Sequence, residues 1–156
     1  MNERSSPSRH SNPRDRDPGR SHGPTPASAA PPLFDPAKPR TELTDSLAEA
    51  QADRFPEGKL NSAQLRRFFG EVKDLLHRLD AGRDYKREIE PLFKMLRSKA
   101  SYAWRNGQNS KIPREFYDFI DHGVKKVADE AQFRLFAQHF EAVVGFLYGK
   151  GKVGGK

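Results

Sequence analysis

Residues 90–105 read E-P-L-F-K-M-L-R-S-K-A-S-Y-A-W-R, and this stretch decides the fold. At about 100° per residue, Ile89, Leu92, Phe93, Leu96, Ala100 and Ala103 fall on one stripe, which predicts an amphipathic helix with one buried face. Lys94, Ser98, Ser101 and Arg105 share the opposite face, with Arg97 beside Trp104 at one edge of the stripe and Lys99 near Met95 and Tyr102 at the other. No carboxylate follows Glu90 in the stretch. A helix that needed only solubility would mix signs to gain i,i+4 pairs, so the expectation is a row of cations without acidic company.

Working outward, the same period recurs on both sides. Leu65, Phe68, Phe69, Val72, Leu75, Leu76 and Leu79 predict a helix that starts after Asn61 or Ser62, either of which can cap it. Arg67 can pair with Glu71 and Asp74 with Arg78 on its polar side, whereas Arg66 and Lys73 have no such partner. Gly82 in the short connection supplies a helix-ending positive φ, Pro91 fits a first helical turn, and Asn106-Gly107 forms a stop. A polar loop ending in Lys111 follows. Pro113 opens a helix with Phe116, Phe119, Ile120, Gly123, Val124 and Val127 inward, its outer face balanced by Asp121 and Lys125. Asp129 caps a last helix carrying Phe133, Phe136, Ala137, Phe140, Val143, Val144 and Leu147. No strand alternation is present, so the expected fold is all-α, a small bundle of four main helices. The chain has 11 Phe, and Phe68, Phe93, Phe116, Phe133 and Phe140 sit at stripe positions and are assigned to the core.

The ends differ in composition. Residues 1–40 are rich in Pro, Ser and Arg, with no large apolar residue before Leu33 and Phe34 except Met1, and are expected to be a disordered tail. Residues 41–58 are acidic, with a short N-terminal helix over Thr44–Ala52 that docks weakly and a Pro-Gly break after Phe55. The bundle occupies 59–149, and 150–156 is expected to be a flexible basic end. Of 28 Lys+Arg and 21 Asp+Glu, residues 59–156 hold twenty and twelve. The helical part is therefore the basic part, which points to a polyanionic partner.

Other chemistries have little to work with. The chain has no Cys, which excludes disulfides and thiolate metal sites. His10, His22, His77, His122 and His139 do not follow a metal-ligand spacing, and Asp118 with His122 is a weak acid/base pair on a solvated face. There is no phosphate-cradling Gly loop or nucleophile elbow. No enzyme activity, metal or cofactor is expected, and with no membrane-length apolar run the expected setting is soluble and cytoplasmic. A basic helix with aromatic neighbours suits a nucleic-acid backbone. The candidate contacts are Lys94, Arg97, Lys99, Arg105, Lys111, Arg66 and Lys73, with Tyr102 and Trp104 as candidates to stack on a base.

Four motifs in order resemble the small subunit of type III-A CRISPR effector complexes, the Csm complexes. They are L-N-S-A-Q-L-R-R-F-F-G-E-V (60–72), L-F-K-M-L-R-S-K-A-S-Y-A (92–103), I-P-R-E-F-Y-D-F-I (112–120) and F-E-A-V-V-G-F-L (140–147). The resemblance implies a non-catalytic helical bundle that stacks in several copies along a guide-RNA ribonucleoprotein filament and contacts the backbone of target RNA in antiviral defence. Its implied partners are guide RNA, target RNA, the backbone and large subunits, and further copies of itself. Sequence choice is left to base pairing, and cleavage to the other subunits. Arg97 and Lys99 match the family's basic stretch, with Lys94 and Arg105 as neighbours. The forty-residue tail and the N-G-Q-N-S loop depart from the pattern. Two alternatives stay open: a protein-only helical adaptor docking an acidic partner, and the equivalent small subunit of a type III-B complex.

Overall fold

The computed structural model describes residues 30–155; the first 29 residues of the expected tail lie outside the described residues. Its elements are α1 (Arg40–Leu43), α2 (Ser46–Asp53), β1 (Leu60–Asn61), α3 (Ser62–Asp80), α4 (Glu90–Trp104), α5 (Arg114–Lys126), α6 (Glu130–Gly149) and β2 (Val153–Gly154). The fold is an all-α bundle, with one two-residue parallel pairing between β1 and β2.

The helix limits follow local chemistry. Asn61 caps α3 by accepting a hydrogen bond from the Gln64 N–H at 2.8 Å, and Asp129 caps α6 through the Gln132 N–H at 2.9 Å, each satisfying a donor left free at a helix start. Gly82 takes a φ of 98° after α3. The chain into α4 is helical earlier than the first-turn proline suggested: Asp84 caps it, and Tyr85–Ile89 forms a wide π turn. Pro91 lacks an N–H and its ring crowds the carbonyl one turn earlier, and the wider turn gives that ring room.

The buried stripes meet in an aromatic core. Phe68, Phe93, Phe116, Phe133 and Phe140 are all buried as expected. Edge-on pairs hold the helices together, among them Phe93–Phe133 at 4.9 Å between centroids and Phe119–Phe140 at 5.1 Å; such geometry adds to the burial itself. Gly123 lets α5 lie directly against the Phe136 ring, because a Cβ there would overlap that ring. Leu92 departs from its expected stripe and is 40% exposed, next to Met95 at 50%.

Three expectations about the ends are corrected. The acidic segment is part of the bundle and no weak appendage: Leu43, Ala48, Ala52 and Phe55 are buried. The His139 ring on α6 donates from Nδ1 to the Leu43 carbonyl at 2.7 Å. Burial lowers the pKa of His139 against the opposing pull of that bond, and its Nε2 has no partner among the described residues. The boundary at residue 40 is too late, since Phe34 is buried against Phe136 at 5.2 Å. The Leu33 N–H is bound by Gln51 and the Phe34 carbonyl by His122 Nε2, so His122 does not form the acid/base pair with Asp118, which instead pairs with Arg114. Finally, the basic end expected to be flexible is tied down over 150–154 by β2 and by lysine contacts to α2.

Candidate nucleic-acid interface

Helix α4 carries its cations between two neighbours, and the two sides differ. Toward α5, Arg97 Nε donates to Asp121 Oδ1 at 2.7 Å, and Lys125 reaches the same carboxylate at 3.0 Å. Burial pushes the Asp121 carboxyl up, but the bonds from Arg97 and Lys125 outweigh it and hold the group below the usual carboxylate range. Lys94 donates to the Val124 carbonyl at 3.3 Å. Trp104 is half-buried, stacked on Tyr117 at 4.7 Å with the Arg114 guanidinium 4.9 Å from its ring. Its faces are committed within the fold, so of the two aromatics considered for base stacking it is the less suited.

Toward α3 the arrangement opens. A groove of about 410 Å³ is lined by Gln64, Arg67 and Phe68 of α3, by Ser98, Lys99, Tyr102 and Ala103 of α4, and by Arg105 and Lys111 beyond it. Lys99 Nζ is bound to Glu71 at 2.6 Å. Among the described residues Arg67, Arg105 and Lys111 have no carboxylate partner. Tyr102 is 71% exposed, with the Arg105 guanidinium 4.6 Å from its ring centre, within the range of a cation–π contact. The backbone sets this up: Arg105 ends α4 at φ 48°, followed by Asn106 at 56° and Gly107 at 87°. This left-handed run, uncommon for non-glycine residues, ends the helix with Arg105 over Tyr102. The Lys111 N–H returns to the Ala103 carbonyl at 2.8 Å and keeps the loop at the helix end.

The expected row without acidic company is thus corrected at two of its four members. Arg97 and Lys99 are capped by carboxylates from other helices, whereas among the described residues Lys94 and Arg105 meet only carbonyls or an aromatic ring. Lys73 is also paired, with Glu141 at 3.5 Å, against the expectation that it had no partner. Arg66 is exposed and does not line the groove. Arg67 was assigned to Glu71, but Glu71 binds Lys99, and Arg67 joins the groove instead. No signal within one helix could have found it, because the competing partner comes from α4.

Among the described residues no group of His, Asp or Glu is placed to hold a metal ion, and no helix is long and apolar enough to cross a membrane. No curated protein and no solved structure matches the chain. A family model described as Csm2 Type III-A matches residues 38–150, from just before α1 to just past the end of α6. With most of its length covered by that match, the chain belongs to the Csm2 Type III-A family, the small subunit of type III-A CRISPR complexes.

Proposed function

We propose that this small subunit is a non-catalytic RNA-contacting component of its complex, and that the groove between α3 and α4 is where the RNA backbone lies. The observation that carries the reading is Arg67, Arg105 and Lys111 converging beside the exposed ring of Tyr102. Cations neutralise phosphates without reading bases. An exposed aromatic accepts any base by stacking, so the groove suits a protein that leaves sequence choice to guide pairing. Residues 30–155 act as one folded unit, with several copies stacked along the guide:target filament for antiviral defence. The cations on the α5 side serve packing between helices.

Three phosphate contacts on a single strand give a slope of roughly −2 in log affinity against log salt, or about a 20-fold loss between 50 and 200 mM. The chain is expected to co-purify with guide RNA of defined length together with other subunits of the complex, and RNase treatment is expected to reduce the associated protein. Retention of the same partners after complete RNA digestion, with no RNA in the untreated sample, would identify a protein-only adaptor instead.

A further inference from the structure

The C-terminal residues after α6 form a strap whose contacts run from the end of α2 to the residues just before α3. Lys150 reaches Glu49 at 2.9 Å and Asp53 at 3.1 Å. Lys152 Nζ donates to the carbonyls of Ala52 and Asp53, at 3.2 and 2.9 Å, at the end of α2. The Ala52 carbonyl also accepts the Phe55 N–H at 3.2 Å, and both carbonyls lie in the last turn, where the ammonium acts as a C-cap. The Lys152 carbonyl accepts the Gly58 N–H at 2.9 Å. Val153 and Gly154 then pair in parallel with Leu60 and Asn61. Gly154 approaches the Gly58 carbonyl so closely that a Cβ would overlap it, a position only glycine fills.

Asn61, the partner of Gly154, is also the cap of α3, and its side chain binds the N–H of Gln64. Gln64 and Arg67 both line the groove. The first turn of α3 is fixed again by Ser62, whose hydroxyl is 2.8 Å from that of Tyr148 on the last turn of α6. A single run of contacts therefore leads from Gly154 through Asn61 to the side chains on the α3 wall of the groove.

We infer that the strap 150–154 positions the RNA groove: by holding β1 it sets the first turns of α3, so that Gly154 and Lys152 are positioning residues for Gln64 and Arg67. The inference rests on the RNA-contact reading above and adds a determinant that touches no RNA. It also gives the basic tail a use other than supplying charge.

The test uses the full chain with Gly154→Val, which keeps every charge, and Lys152→Met, a milder change outside the aromatic core. Hydrogen exchange of amides 58–66, thermal unfolding, and the affinity and salt slope for a fluorescein-labelled single-stranded RNA are measured on each. The expected result is faster exchange confined to 58–66. With it, RNA affinity falls about 3- to 5-fold and the slope falls by about 0.7, the share of one phosphate contact, while the protein remains folded at the assay temperature. Lys152→Met is expected to move both readouts in the same direction by less. If Gly154→Val does not fold, Lys152→Met alone decides. Faster exchange at 58–66 with unchanged affinity and slope overturns the inference, as does unchanged exchange in both variants. If Arg67→Ala and Arg105→Ala leave binding by the parent protein unaltered, the RNA reading itself fails, which is a separate result.

Discussion

The two sides of α4 start from the same sequence signal and end differently. Toward α5 the cations meet Asp121 and the Val124 carbonyl, and the aromatic Trp104 is stacked away. Toward α3 one lysine is capped by Glu71, but Arg67, Arg105 and Lys111 gather around an exposed tyrosine. Helical periodicity places a charge on a face, and the neighbouring helix decides whether that charge is left available. A cation's value as a binding residue is therefore a tertiary property, even where its helix is obvious from the sequence.

The largest effect is expected from breaking the closed side from behind. Gly123→Ala drives a methyl into the Phe136 ring and forces α5 away from α6. Overpacking of this kind costs about 1–3 kcal/mol, read as a lower midpoint in denaturant-unfolding curves at unchanged slope. Faster hydrogen exchange along α5 is expected with it. A variant as stable as the parent would mean that the closed side is not held by this contact.

On the open side, Tyr102→Leu keeps apolar bulk but removes the ring. Base stacking is worth about 1–3 kcal/mol per base. Because Arg105 already shares the ring, the lower end is expected, a loss of roughly 5-fold in affinity for single-stranded RNA by fluorescence anisotropy, with thermal stability unchanged. Trp104→Leu is expected to show the opposite division: lower stability, because Tyr117 and Arg114 lose their partner, and little change in affinity beyond that.

The smallest effect belongs to the ion pair on the closed side. Asp121 has a depressed pKa in the folded chain, so its contribution is fully present above the ordinary Asp value of about 3.9 and fades as pH falls through the lower folded value. Arg97 and Lys125 are half exposed, which limits the pair to about 1 kcal/mol or less. Asp121→Asn is expected to lower the midpoint of thermal unfolding by a small amount that is constant from pH 5 to 8 and closes in acid. A gap that widens in acid would contradict the assigned sign.

Much of the fold was readable from local rules. The stripes of α3, α5 and α6 and the cap Asp129 depend on residues within a turn or two of one another, and the structure has them where the sequence placed them; of the two cap candidates for α3, Asn61 and Ser62, it uses Asn61. What escaped depends on distant partners. Lys99 and Glu71 are 28 residues apart and Arg97 and Asp121 are 24 apart, beyond the reach of i,i+4 bookkeeping. Phe34 was assigned to a tail because its neighbours are prolines, yet its ring packs on Phe136 of α6 and its backbone is held by His122 of α5, and together with the Gln51 bond to Leu33 these anchor that stretch. The strap was overlooked for a similar reason: Gly-rich basic ends favour disorder by composition, but two lysines meeting α2 and a glycine meeting β1 offset that tendency. In the candidate site, Tyr102, Arg105 and Lys111, expected from the sequence as RNA contacts, line one groove, whereas Arg67 was hidden by the expectation that it paired with Glu71.

The most direct test sets one side of α4 against the other. Arg67→Ala/Arg105→Ala/Lys111→Ala and Lys94→Ala/Arg97→Ala are compared with the parent in anisotropy titrations of single-stranded RNA between 50 and 200 mM salt. The account predicts that the groove variant loses most of a slope of roughly −2, while the variant on the α5 side stays within about 0.7 of the parent. A groove variant that keeps the parent slope while the Lys94/Arg97 variant loses it would contradict the account and place the phosphates on the other side of the helix.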